Sequence, residues 1–367
     1  MMKRVLIIIG KLYIGGAERV GRDIGYYADK SKYEIHYLVF EETIGEYEDE
    51  LRQCGCIIHH TDPPAKSYIR YISFLRNLFK RERIDVIHSH TMFNSAWALI
   101  VGKYMGIPVR ISHSHSIKGS EHRGIVKNIY EKTMRMLIRR YATDYVACGK
   151  SAGEWLYGKK FFEKNGTVIY NGIDLKRYYY DEKARDEIRV RYKMQNKFII
   201  GHAGHFAYVK NQSFLLELMP EILRKTPNAF LILLGDGADR QMLKEKITQL
   251  NLQENVLMPG NVENVGDYMS AMDVFVFPSL YEGMPLALVE AQTNGLPCVI
   301  SQKIPKDICL TDLISPISLN SSKEKWISII ISMKRDFPEN YGKKMCDMGF
   351  DILNMLEKIY KLYEREN

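Results

Sequence analysis

Ser279-Leu-Tyr-Glu282-Gly283-Met284-Pro285-Leu286-Ala-Leu-Val-Glu290-Ala-Gln-Thr-Asn294-Gly295-Leu-Pro297 lies between two short apolar runs. Asp273-Val-Phe-Val-Phe-Pro278 before it and Cys298-Val-Ile-Ser301 after it read as buried parallel strands. Residues 285–294 read as the helix joining them. Pro285 suits the first helical position, Gly295 the C-terminal cap, and Pro297 follows the stop. Glu282, Gly283 and Met284 then form a loop at the carboxyl end of a strand, where an open α/β sheet binds ligands. The helix start offers free N–H groups and a positive dipole end, which favour a diphosphate. Glu282 and Glu290 are poor partners for phosphate, but carboxylates accept hydrogen bonds well from sugar hydroxyls. The combination suggests a nucleotide sugar. The plain alternative is a pair of solvated glutamates on an ordinary βαβ unit, and spacing alone does not choose between them.

Outward from this stretch the whole chain alternates strands and helices. In the first half, strands are expected at 5–9, 34–40, 56–59, 85–89, 108–112, 145–148 and 167–170. Helices are expected at 17–29, 68–83, 94–105 and 124–140. This is the pattern of a doubly wound parallel sheet. It breaks at Asn171-Gly172-Ile173-Asp174, and a polar, charged segment runs on to Arg191, which reads as a linker. Alternation restarts with strands at 198–201, 229–234 and 255–258 and helices at 212–224, 240–250 and 265–272. Two domains follow, 1–178 and 179–344. An amphipathic helix at 351–364 lies in a tail, 345–367. A chain of 367 residues is long enough for two cores.

Composition narrows the partners. The net charge of +8 favours anions: nucleotide phosphates, acidic lipid surfaces or nucleic acid. The six cysteines include no C-x-x-C pair, which fits reduced buried thiols in a cytosolic protein. No apolar run approaches the roughly 18 residues that span a bilayer. The expectation is a cytoplasmic protein whose membrane contact, if any, is peripheral, on the inner face of the membrane.

Five further motifs bear on chemistry. Gly15-Gly16-Ala-Glu-Arg19, between strand and helix, lets backbone approach a phosphate or sugar, or is simply a tight turn. It is not the G-x-G-x-x-G dinucleotide pattern. His88-Ser-His90 and His113-Ser-His115 each end a predicted strand, and i and i+2 share a face. They read as sugar-binding or catalytic imidazoles, as inert polar strand ends, or as zinc ligands lacking a carboxylate or thiol to complete the set. Gly201-His202-Ala-Gly204-His205-Phe-Ala-Tyr-Val-Lys210 places Lys210 where a cation could neutralise a departing diphosphate; a solvated lysine at a helix start is the alternative. Met258-Pro-Gly-Asn-Val262 follows another strand end. Finally, 66–81 and 134–140 mix basic and aromatic or apolar residues at helical spacing. This suits an anionic membrane surface or an ordinary helix with its apolar side in the core.

The stretch from Glu282 to Glu290 resembles the E-x7-E signature of retaining GT-B glycosyltransferases of family 4. The wording EGMPLALVEAQTNGLPCVIS is similar to bacterial members that build capsular polysaccharide, exopolysaccharide or O-antigen. That resemblance implies an α/β GT-B fold, two Rossmann-like doubly wound domains facing a central cleft, with the tail packing back on the first. It implies sugar transfer with retention from a nucleotide-diphosphate sugar, expected to be a UDP-sugar, to a lipid-linked saccharide on polyprenyl diphosphate. No divalent metal and no other cofactor would be required. Glu290 would hold the ribose. Glu282, with Gly283, Met284, Pro285 and Leu286, would hold sugar and diphosphate. Lys210 would clamp the diphosphate; His205 stands where the family usually has arginine, and either it is a weaker, pH-dependent clamp or the charge comes from elsewhere. Gly15 and Gly16 would face the donor phosphates, and Val262 would border the base. His115, or alternatively His113, would contact the donor sugar. Remaining readings are a sugar-nucleotide epimerase or phosphorylase of the same fold and a non-catalytic nucleotide-sugar-binding protein. A dehydrogenase or nucleic-acid binder lacks its fingerprint.

Overall fold

The computed structural model describes residues 2–13, 16–40, 44–115, 124–336 and 340–365. The chain forms two compact units, Met1–Gly172 with Leu353–Asn367, and Ile173–Ile352.

The first unit holds a seven-stranded sheet: β1 (Lys3–Ile8), β2 (Tyr33–Val39), β3 (Ile57–His60), β4 (Val86–Ser89), β5 (Val109–Ser114), β6 (Asp144–Ala147) and β7 (Gly166–Val168). Its spatial order is β3-β2-β1-β4-β5-β6-β7, and all pairings are parallel. Val5, Leu6, Ile7 and Ile8 are wholly buried. Helices cover both faces of such a sheet, so its central strands are apolar runs without alternation. The helix Gly16–Tyr26 packs closely enough that a Cβ on Gly25 would lie 2.0 Å from Tyr37 Oη. Glycine is required there by contact. The tail helix, Ile352–Tyr363, belongs to this unit from Leu353 onward. Tyr360 Oη donates to the Ile24 carbonyl at 2.9 Å, and Lys3 Nζ donates to the Tyr363 carbonyl at 2.7 Å.

The second unit holds β8 (Phe198–Ala203), β9 (Ala229–Leu234), β10 (Val256–Gly260), β11 (Val274–Phe277), β12 (Cys298–Ser301) and β13 (Ile314–Ile317), in the order β10-β9-β8-β11-β12-β13, again parallel. Its core gathers Leu215, Leu216, Leu231, Val274 and Val299 around Trp326.

Two expectations need correction. The unit boundary falls at 172/173, and the chain returns at 352/353, against the expected 178/179 and 344/345. Residues 173–178 are bound into the second unit. Ile173 exchanges backbone bonds with Phe350 and Ile352, and Asn294 Nδ2 donates to the Tyr178 carbonyl at 2.9 Å. A Cβ on Gly266 would sit 2.0 Å from the Arg177 carbonyl oxygen. The segment Tyr341–Asp347 is likewise a helix that packs on Leu286–Thr293.

The supposed linker is not one either. Glu182–Arg191 is a helix, begun by Asp181, whose side chain accepts from Ala184 N. Its charges looked solvated in sequence, but Arg185 and Arg189 turn inward onto Asp273 at 2.6 and 2.8 Å, and Asp273 also accepts from Ile199 N at 2.7 Å. Asp273 thus joins the helix to the starts of β8 and β11. Removing Asp273 takes from this mostly buried cluster the carboxylate that both arginines share. Asp273→Ala is therefore expected to lower stability by about 3 kcal/mol, read as a fall in the urea midpoint; an unchanged midpoint would show the cluster to be ornamental.

Candidate functional site

In the second unit the chain order splits between β8 and β11: β9 and β10 continue to one side, β12 and β13 to the other. Open α/β sheets bind ligands beyond the carboxyl ends of strands at such a switch point. The loops that leave these two strands carry Lys210 and Glu282. Lys210 ends a short 3₁₀ turn, Tyr208–Lys210. Asn211 follows with φ +57° and donates through Nδ2 to the Pro278 carbonyl, while Leu280 N donates to the Val209 carbonyl at 2.8 Å. Thus tied, the loops bring Lys210 Nζ within 2.7 Å of Glu282 Oε1. The ammonium also lies 5.2 Å from the centre of the Phe277 ring, which holds it by cation–π attraction.

The helix that follows, Leu286–Thr293, starts one residue later than expected. Pro285 is its N-cap, and no side chain caps it. Its leading N–H groups therefore remain available to an anion. Gly283, Met284 and Leu286 are half-buried and Pro285 is buried. Glu290 is buried on the second turn. Val262 follows β10, at the same carboxyl edge and three strands from β11. At about 4.8 Å per strand that is roughly 14 Å, the scale of a nucleotide.

His205 is exposed, and its carbonyl accepts from Gln212 Nε2 at 3.0 Å. Two residues beside it had no role in the sequence reading. His202 is buried; its Nδ1 donates to the Val276 carbonyl at 2.9 Å, and its Nε2 has no partner. Burial pushes it down to about 4, with Lys210 adding to the shift and the Val276 carbonyl opposing it. Arg240, which opens the helix after β9, donates to Asp236 at 3.0 Å and lies 3.4 Å from where a Gly260 Cβ would be. It is a second cation at this edge. Neither stood out in sequence, because His202 lies at the end of an apolar strand, three residues before His205, and Arg240 in an ordinary charged helix.

In the first unit the corresponding split lies between β1 and β4. Gly16 begins the helix after β1, and a Cβ on it would meet nothing within 4 Å; Gly15 lies outside the described residues. β4 and β5 are neighbours, so the two His-Ser-His motifs come together in two tiers. In the inner tier His88 Nε2 and His113 Nδ1 are 3.1 Å apart; in the outer tier His90 Nδ1 and His115 Nε2 are 2.7 Å apart. His88 and His113 have no exposed surface, and His115 is partly accessible. Burial pushes His88 down to about 3 and His115 to about 4, and holds His90 and His113 well below the ordinary histidine value.

Nitrogens of His88, His90 and His113 lie within 4.8 Å of one another, close enough to consider a metal ion. The ring geometry argues for hydrogen bonds. The His88 and His113 rings are parallel within 2°, with centres 5.3 Å apart and facing nitrogens 3.1 Å apart. Those nitrogens point along the line between the rings, as in an N–H···N bond. Two ligands of one tetrahedral ion would have to converge at an angle.

The basic-aromatic segments differ from each other. Tyr68–Glu82 turns Tyr71, Leu75, Leu78 and Phe79 into the core, the ordinary arrangement. Ile125–Tyr141 buries Met134 and Ile138 but leaves Ile125 80%, Val126 82%, Ile129 60% and Met136 60% exposed. Lys132 and Arg140 are exposed on the same helix. Among the described residues no helix is long and apolar enough to cross a membrane.

Comparison with known proteins agrees across the chain. Residues 14–177 match the family described as Glycosyltransferase Family 4, and residues 184–306 match Glycosyl transferases group 1. The chain is 30% identical to the putative glycosyltransferase EpsF of Bacillus subtilis (strain 168), over 98% of this chain and 96% of that one. It is 28% identical to the capsular polysaccharide biosynthesis glycosyltransferase CapH of Staphylococcus aureus, over 99% of each. It is also 28% identical to the UDP-Gal:alpha-D-GlcNAc-diphosphoundecaprenol alpha-1,3-galactosyltransferase of Escherichia coli, over 79% of this chain and 77% of that one. Anabaena Alr3699/HepE, crystallised in complex with UDP, has the same fold, with a TM-score of 0.81 at 21% identity over 98% of this chain and 99% of that one.

The buried histidines set an acid limit on stability. Their folded values lie below the ordinary 6.5, so between the two the unfolded chain binds more protons. The stabilisation they permit is complete above about pH 6.5 and is lost as pH falls toward 4, at up to roughly 1.4 kcal/mol per unit for each histidine. Urea midpoints measured from pH 7 to 4.5 should fall steadily; a flat profile would contradict the neutral assignment.

Proposed function

The chain belongs to the family 4, group 1 glycosyltransferases, and from that premise we propose that it transfers a hexose or N-acetylhexosamine, with retention, from a UDP-sugar to a lipid-linked saccharide during capsular or exopolysaccharide assembly. The observation that carries this reading is the Lys210–Glu282 contact of 2.7 Å at the β8/β11 switch point, beside an uncapped helix start. A cation, a carboxylate and free backbone N–H groups at one place suit a diphosphate joined to a sugar. Glu290 takes the ribose hydroxyls, Val262 borders the base, and Glu282 with the Gly283–Leu286 backbone takes sugar and diphosphate. In the first unit, His115, partly accessible above the buried His113, is the residue suited to a sugar contact.

In this reading the bond from the anomeric carbon to the diphosphate breaks and the negative charge grows on the leaving oxygen. Lys210 stabilises that charge where it develops. His205 is exposed, and Arg240 is a second candidate for the place of the family's usual arginine. The acceptor oxygen bonds the anomeric carbon on the face the diphosphate leaves, and its proton passes to a departing phosphate oxygen. Positive charge from side chains and the helix end serves in place of a divalent ion. The relatives support the acceptor class: the Escherichia coli enzyme is named for a sugar on diphosphoundecaprenol. The exposed apolar row of Ile125–Tyr141 suits the membrane surface where such an acceptor sits.

Lys210→Ala should reduce kcat by about 100-fold or more, measured as sugar transfer from UDP-sugars, with the fold intact by circular dichroism. Near-normal turnover would remove Lys210 from the mechanism. A UDP-sugar that raises the melting temperature without yielding any glycoside would point to a binding protein instead. For the membrane, Ile125→Ser with Ile129→Ser should abolish flotation with anionic liposomes at low salt; no flotation of the unaltered chain would end that part of the reading.

A further inference from the structure

The inner histidine tier does not stop at His113. Tyr363, near the end of the tail helix, places its Oη 2.7 Å from His88 Nδ1, across 275 residues of sequence. Tyr363 is wholly buried, and among the described residues His88 is the hydrogen-bond partner of its hydroxyl. The row therefore reads Tyr363 Oη, His88 Nδ1, His88 Nε2, His113 Nδ1, and ends at His113 Nε2, which is buried and has no partner among the described residues.

A neutral imidazole carries one N–H and one lone pair. Both rings are kept neutral by burial, and burial likewise keeps the Tyr363 hydroxyl protonated. Only two proton arrangements connect the row. In one, the tyrosine donates to His88 Nδ1, His88 Nε2–H donates to His113 Nδ1, and His113 Nε2 carries a hydrogen. In the other every bond is reversed, the tyrosine accepts, and its own O–H is left buried with nothing to receive it. Each arrangement leaves one buried donor unmet, His113 Nε2–H in the first and the tyrosine O–H in the second, but a phenol is a better donor than acceptor and an imidazole nitrogen is a strong acceptor, so the first, O–H···N arrangement prevails.

We propose that Tyr363 is a positioning residue that locks His88 and His113 in their Nε2–H tautomers, so that the inner tier presents a hydrogen-bond donor, not a base, beneath His115. The His113 and His115 rings lie 4.1 Å apart, centre to centre, so the orientation of the inner ring bears directly on the outer one. The tail helix thereby acquires a role beyond covering the sheet: it supplies the hydroxyl that sets which nitrogen holds the proton. The link to catalysis rests on the reading of His115 as a sugar-facing residue; the tautomer assignment does not.

The test uses the full chain with ¹⁵N-labelled histidine and no ligand. Two-bond ¹⁵N–¹H correlation spectra should show protonated Nε2 and bare Nδ1 for His88 and His113. Tyr363→Phe keeps the ring and removes the hydroxyl. It should release both residues from the Nε2–H form while the melting temperature stays near that of the unaltered chain. Sugar transfer should fall about fivefold to tenfold in kcat, with KM for the UDP-sugar within about twofold. Should Tyr363→Phe fold poorly, His88→Leu cuts the row at its middle and should release His113 in the same way. Nδ1–H tautomers in the unaltered chain, or tautomers unchanged in both variants, would overturn the proposal. So would a tautomer change that leaves kcat untouched. Absence of transfer by the unaltered chain would count against the functional reading alone, since the spectra need no turnover.

Discussion

In each unit the first strand in sequence lies inside its sheet, and later strands are laid down on both sides of it. This one constraint generates the rest. Parallel strands need crossover connections that pack on the sheet. When the winding reverses direction, the loops after two neighbouring central strands diverge and leave a gap at their carboxyl ends. Lys210 and Glu282 face one another at that gap in the second unit, because they follow β8 and β11. In the first unit Gly16 and the His88–His90 motif follow the equivalent strands, and His113–His115 follows the next one.

Polar groups that would be costly to bury are held in small, closed sets. Asp273 answers two arginines and a backbone amide at the edge of the second core. Arg335 donates to the carbonyls of Met269, Ser270, Met272 and Asn294, and burial pushes it down to about 10. The histidines are neutral, and within each tier the two rings are bonded to one another. The Lys210–Glu282 pair is likewise mostly buried, and the exposed His205 side chain lies on the same loop as Lys210. Among the described residues, buried polar atoms without partners include those of His90, His113, His115 and His202 at the functional edges, and others elsewhere, at Tyr71 and Trp97. Unsatisfied buried groups mark places where something else is expected to bind or be ordered.

Sequence and structure part company in an instructive way. The apolar strand runs, the helix between Pro285 and Gly295 and the amphipathic tail were all legible, because local periodicity and capping chemistry set them. The helix Glu182–Arg191 was not, because its inward face is made of arginines. Only the partner, Asp273, reveals that those charges are satisfied, and it stands more than eighty residues away. The short strand β13, Ile314–Ile317, was missed for a similar reason. Its half-buried Ser315 and exposed Pro316 do not read as strand, and pairing with β12 decides it.

For the site, the chain on its own determined which residues stand at strand ends and helix starts: Gly16, Lys210, Glu282, Gly283 and Glu290, and the two histidine triplets. Those placements follow from short-range rules and needed no coordinates. Only the folded structure decided which of them meet. It paired His113 with His88 and His115 with His90, sank the first pair below the second, and brought Tyr363 to its end. The reason is physical. Strand order and register select neighbours among residues far apart in the chain, and a periodicity of two or three and a half residues carries no record of that selection.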